Sequence, residues 1–128
     1  EPMPMGNNER ILFVDDEVML IDVQKDALES LKYQVVAVSS PDEALNLFSS
    51  SPDDYDLVIT DMTMPKMTGD VLAKEILKIR PDVPVILCTG FSETITKEKA
   101  LAAGIRDFLM KPVRIQDLAE SVQNVLAG

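Results

Sequence analysis

The 128 residues suffice for one domain with a single core. Their 22 acidic against 12 basic side chains, a net charge of −10, leave no basic stripe for a phosphate backbone, so no nucleic-acid partner is expected. One cysteine rules out an internal disulfide, the absence of histidine rules out ordinary structural zinc, and no apolar run approaches the roughly 20 residues of a membrane helix, so the expectation is a soluble, cytoplasmic domain without membrane contact.

Residues 1–8 carry two prolines, a glycine and two asparagines, and have neither the basic nor the apolar region of a signal peptide. They read as a linker or expression remnant, and residues 9–128 as the domain. Residues 11–14 form an apolar run ended by Asp15, Asp16 and Glu17, and Ile21, Leu28 and Leu31 then recur at helical spacing: strand, loop, helix. A second β-branched run covers 34–38. Ser40 caps a helix that begins at Pro41 and buries Ala44, Leu45, Leu47 and Phe48, until the cluster at 49–54 ends it.

Residues 57–60 are another apolar run, stopping on Asp61, with a loop closed by Pro65 and Gly69. The next helix places Val71, Leu72, Ile76 and Ile79 on one stripe and stops before Pro81. A fourth strand is predicted over 83–88, a polar turn over 89–92, a helix rich in lysine and alanine over 93–103 with Gly104 as its cap, and a fifth strand over 108–110 running into Lys111-Pro112. Ile115, Leu118, Ala119, Val122, Val125 and Leu126 mark a last amphipathic helix. Strands apolar throughout, alternating with helices, specify an α/β fold of the flavodoxin-like kind: a doubly wound, five-stranded parallel sheet with five helices.

Parallel strands with right-handed connections bring their carboxyl ends to one edge, where open α/β sheets bind ligands. Asp15, Asp16, Asp61, Thr89 and Lys111 all fall there. Two carboxylates about 4 Å apart repel by about 4 kcal/mol at an effective dielectric near 20, so three of them call for a cation. With only oxygen donors available, Mg2+ is the natural choice. Lys111 and the Thr89 hydroxyl suit the oxygens of a phosphoryl group, and phosphoryl transfer to a carboxylate is the chemistry implied.

Asp15-Asp16, Asp61 within D-M-T-M-P-K-M-T-G, Thr89-Gly90, and Lys111-Pro112 preceded by Phe108 closely resemble the receiver domain of two-component response regulators, over residue 10 to about 126. Separations of 45, 28 and 22 residues from Asp16 to Asp61, Thr89 and Lys111 in turn make the ordered set specific. The resemblance implies a signalling switch, not a turnover enzyme. Asp61 would accept phosphoryl from a histidine kinase or a histidine phosphotransfer domain, and Asp15, Asp16, Asp61 and the carbonyl of Thr63 would hold the metal. Thr89 and Phe108 would switch, and the surface of the fourth helix, fifth strand and fifth helix would change. By the same resemblance Thr63 and Phe91 would flank the site and tune dephosphorylation. Neither offers a carboxylate or amide to orient water, so a long-lived aspartyl phosphate is expected. The linker-like opening and the finish soon after the last helix suit the carboxyl-terminal receiver of a hybrid sensor histidine kinase, which the wording also resembles, against a single-domain regulator.

The bland readings are a helix amino-terminus at Asp15–Glu17, a turn residue at Asp61 and a solvated Lys111, each credible singly and poor jointly. Phe108 reads more readily as core than as switch, Cys88 as a small buried residue, and Met62, Met64 and Met67 as packing or an adaptable partner surface. Two rivals stay open. One is an unphosphorylated docking module of the same fold; the other is a haloacid-dehalogenase-type phosphohydrolase, although Thr63 stands where that family wants a second aspartate. A flavin phosphate would meet Asp15-Asp16-Glu17 and be repelled.

Overall fold

A computed structural model describes residues 3–90 and 95–128. Five strands, β1 (Arg10–Val14), β2 (Gln34–Val38), β3 (Leu57–Asp61), β4 (Val85–Thr89) and β5 (Asp107–Met110), form one parallel sheet in the order β2-β1-β3-β4-β5. Five helices connect and cover them: α1 (Val18–Ser30), α2 (Pro41–Ser50), α3 (Gly69–Ile79), α4 (Lys97–Ala102) and α5 (Ile115–Ala127). The expected α/β architecture is the one observed.

The three central strands, β1, β3 and β4, bury both faces, because successive side chains point to opposite sides of a sheet covered twice, whereas the edge strands β2 and β5 are covered in part. Leu12, Val14, Val58, Val85 and Leu87 pack with Ala44, Phe48, Leu72 and Ile76 beneath α2, α3 and α4. Ile11, Phe13, Leu57, Ile59, Ile86 and Cys88 pack with Ile21, Leu28, Leu118 and Val122 beneath α1 and α5. Cys88 is therefore a small buried apolar residue, as expected.

Ser40 caps α2 by accepting from the Glu43 amide at 3.4 Å, with Pro41 at the first helical position. The fourth strand starts at Val85, two residues later than predicted, because Pro84 has no amide to give the ladder and contributes only its carbonyl, which accepts from Val58 at 3.0 Å. On α3 the buried stripe is Leu72, Ala73 and Ile76, while Val71 and Ile79 are exposed. The helix turns its end so that Arg80 reaches the carbonyls of Pro52 and Tyr55, at 2.9 and 2.5 Å. The fourth helix is shorter than predicted: Thr96 caps it, accepting from Lys99 at 3.2 Å, and the predicted start at Glu93 lies outside the described residues.

The opening segment lies against the domain. Gly6 and Asn8 donate backbone hydrogen bonds to the carbonyls of Leu31 and Lys32 at 2.6 and 2.8 Å, and Met3 packs on the α1/α5 core. Gly6 lies so close to the Tyr33 ring that an added Cβ would come within 2.3 Å of it. No described helix is long and apolar enough to cross a membrane.

Candidate functional site

The site follows from strand register. Val14 pairs with Thr60, so Asp15 and Asp61, one residue on, stand side by side at the carboxyl edge of the two central strands. Asp61 is level with Cys88, which places Thr89 one step beyond it. Met110 pairs with Thr89, and the Lys111 amide donates to the Thr89 carbonyl at 2.7 Å, tying the base of Lys111 to β4. The long side chain then crosses β4 to reach the acids.

Lys111 Nζ lies 2.7 Å from Asp61 Oδ1, 3.8 Å from Asp15 Oδ2 and 3.8 Å from Glu17 Oε1. Asp15 and Asp61 are 2% and 5% exposed, and one carboxylate oxygen from each of Asp15, Asp16 and Asp61 falls within 4.8 Å of the others. Asp15 also accepts the Glu17 amide at 2.9 Å, which orients it at the start of α1. The loop after Asp61 folds back closely: the Gly69 amide donates to Met62 at 2.8 Å, and a Cβ on Gly69 would stand 2.1 Å from the Asp61 carbonyl oxygen. Lys66 adopts a φ of 73° there, and Met67 donates across it to Pro65 at 2.8 Å, a γ-turn.

Burial dominates the electrostatics. It pushes the Asp61 carboxyl up to about 6; the Lys111 hydrogen bond opposes this and the charge of Asp15 adds to it. Asp15 is raised for the same first reason, against the Glu17 amide and Lys111. Burial also works against the Lys111 cation, but its hydrogen bond to Asp61 and the charge of Asp15 outweigh that and hold it above the usual lysine range. Two buried carboxylates thus face one ammonium. The remaining donors suit a hard divalent ion, because all are oxygens and burial pushes the nearby Cys88 thiol up to about 12, keeping it protonated.

Asp15, Asp16, Asp61 and Lys111 therefore converge as expected. Thr89 is buried at the same edge, but it follows Leu87 in facing α2–α4, as does Phe108, which pairs with Leu87 and is half-buried in that core. Asp61 follows Ile59 in facing α1 and α5. Thr63 is exposed in the loop, and Phe91 lies outside the described residues. Met62 and Met64 are core side chains, so the methionine group forms no partner surface as a set; only Met67 is partly open. The apolar surface beside the acids is on α1 instead, where Val18, Met19 and Val23 are 58%, 86% and 66% exposed. The signal was in the sequence: α1 carries apolar residues at 18, 19, 20, 21 and 23, more than one buried stripe can use.

Fold and site together define a doubly wound α/β domain with an acidic, cation-seeking centre at the carboxyl edge of its central strands. The family model for the response regulator receiver domain matches residues 11–123. The two-component response regulator ORR22 of Oryza sativa subsp. japonica is 37% identical over 126 residues, covering 98% of this chain, and the putative two-component response regulator ARR21 of Arabidopsis thaliana is 34% identical over 118 residues. The chain spans only 18% and 19% of the length of those relatives. A crystal structure of a response regulator receiver domain protein from Clostridium thermocellum superposes with a TM-score of 0.89 at 36% identity, covering 93% of this chain and 94% of that one. This chain belongs to the response regulator receiver family.

Proposed function

We propose that the domain is a phosphorylatable switch that takes a phosphoryl group onto Asp61 from a phosphohistidine of a partner kinase or phosphotransfer protein. The observation that carries this reading is the buried Asp61 carboxylate held 2.7 Å from Lys111 with the oxygens of Asp15 and Asp16 alongside. A carboxylate oxygen of Asp61 forms the new bond to phosphorus as the phosphorus–nitrogen bond breaks; the imidazole nitrogen keeps the bonding pair and takes a proton from solvent. Asp15, Asp16, Asp61 and the Thr63 carbonyl would hold Mg2+, which supplies charge neutralisation for the phosphoryl oxygens when bound. Lys111 offsets the charge that builds on the same oxygens.

Phosphorylation replaces the single charge of the Asp61 carboxylate with close to two on the phosphoryl oxygens, a gain of about one negative charge, and sets three acceptor oxygens at the site. The Thr89 hydroxyl, whose contact in this state is a 3.4 Å approach to the Gly90 carbonyl, is the donor free to turn towards them. Phe108 shares the Thr89 face, so movement there reaches the α4–β5–α5 surface. The open apolar positions of α1 suit the histidine-bearing partner, and ATP-fed histidine phosphorylation puts the exchange in the cytoplasm. Thr63 brings neither a carboxylate nor an amide to orient an attacking water, which supports a long-lived aspartyl phosphate.

The test is phosphorylation by acetyl phosphate with and without Mg2+, on wild type and Asp61→Asn, read by intact mass. A gain of one phosphoryl group that requires both Mg2+ and Asp61 is expected. No gain under any condition overturns the reading and leaves a docking module in its place.

A further inference from the structure

We infer that the acidic centre opens into a small-molecule site, adjoining the phosphoryl position and sharing its acids, that takes a ring-bearing primary amine. A cavity of about 330 Å³ runs from Asp61 along the α1/α5 face of the sheet. Register explains its course: Phe13 and Ile59 precede Asp15 and Asp61 by two residues and so share their face, and Cys88 lies level with Asp61. Leu20 from α1 and Val113 from the turn before α5 close the apolar part. None of these five side chains has a role in phosphoryl transfer.

The size and the charge select the occupant. An apolar void of about 150 Å³ accepts a benzene ring, and small-molecule pockets begin near about 300 Å³, so one or two fused rings on a short arm fit. At the polar end Asp15 and Asp61, both buried, face the single ammonium of Lys111 among the described residues, and Gln24 also lines the cavity. An anionic ligand is repelled by that excess of carboxylate, and a neutral one leaves it uncompensated. An ammonium on the arm pairs with the acids while the ring displaces water from the apolar wall.

Resting on the proposed function, the inference extends to regulation: an amine against Asp15 and Asp61 competes with the divalent ion and lowers phosphorylation of Asp61, and Mg2+ in excess restores it. Binding is measured first, by amide chemical-shift titration in EDTA without phosphodonor, with benzylamine, 2-phenylethylamine, benzyl alcohol and phenylacetate as probes. The amines are expected to shift Ile59 and Cys88 and to bind about tenfold or more tighter than the alcohol, with phenylacetate silent. Leu20→Trp and, independently, Val113→Phe fill the cavity; each should weaken amine binding about tenfold and leave acetyl phosphate labelling unchanged. Absence of amine binding, equal binding of the alcohol, or undiminished binding by both filled variants overturns the site. Amine binding without loss of labelling overturns the regulatory part, whereas absence of labelling before any amine is added indicts the phosphoacceptor reading and not the cavity.

Discussion

Asp61→Asn should make the magnesium-free domain more stable. Burial raises the Asp61 carboxyl from 3.8 to about 6 in the folded state, despite its hydrogen bond to Lys111. At 1.36 kcal/mol per pH unit, keeping that carboxylate ionised costs the fold about 3 kcal/mol at neutral pH. Asparagine has the same shape and its carbonyl still accepts from Lys111, so the substitution removes the charge and little else. The expected gain in unfolding free energy is about 2–3 kcal/mol, or about 1 M in urea midpoint for an m-value near 2 kcal/mol/M. Its pH dependence has a definite sign. A carboxyl raised on folding costs nothing below its unfolded value, where both states are protonated, and costs fully above its folded value. The gain should therefore be absent below pH 3.8, grow towards about 6 and stay level above it. Urea unfolding in EDTA across that range, followed by circular dichroism, measures it. Added Mg2+ should close the gap, since the wild-type site binds the ion more tightly. A variant no more stable than wild type at neutral pH, or a gain independent of pH, refutes the reasoning.

Lys111→Met removes the cation beside Asp15 and Asp61, so Mg2+ affinity should rise while acetyl phosphate labelling slows at least about tenfold; calorimetry and intact mass read the two separately. Gly69→Ala places a Cβ 2.1 Å from the Asp61 carbonyl oxygen, and overpacking of this kind should cost about 1–3 kcal/mol in urea unfolding and slow labelling as the loop shifts. Arg80→Ala removes hydrogen bonds to Pro52 and Tyr55 and should cost about 2–3 kcal/mol, with labelling unchanged because the contact lies at the far end of β3. Met19→Glu on the open face of α1 should slow transfer from a phosphohistidine donor about tenfold or more and leave labelling by acetyl phosphate intact, measured by radiolabel transfer and intact mass.

The sequence by itself determined the sheet and the edge at which the acids gather, because these rest on local order: the apolar runs at 11–14 and 57–59 read as doubly covered strands, and the acid that closes each emerges at the carboxyl edge. Parallel pairing then left Asp15, Asp61 and Lys111 no other place to go. Tertiary structure alone decided which face each side chain serves. Thr89 and Phe108 point towards α2–α4 and Asp61 towards α1 and α5; Met62 and Met64 sink into the core while Met19 stays open; and a cavity survives between α1, β1, β3 and the turn after Lys111. These outcomes depend on helices and strands far apart in the chain meeting at particular distances. Hydrophobicity says that a residue prefers burial, but the space that buries it, or leaves it uncovered, is made by neighbours its own segment does not contain.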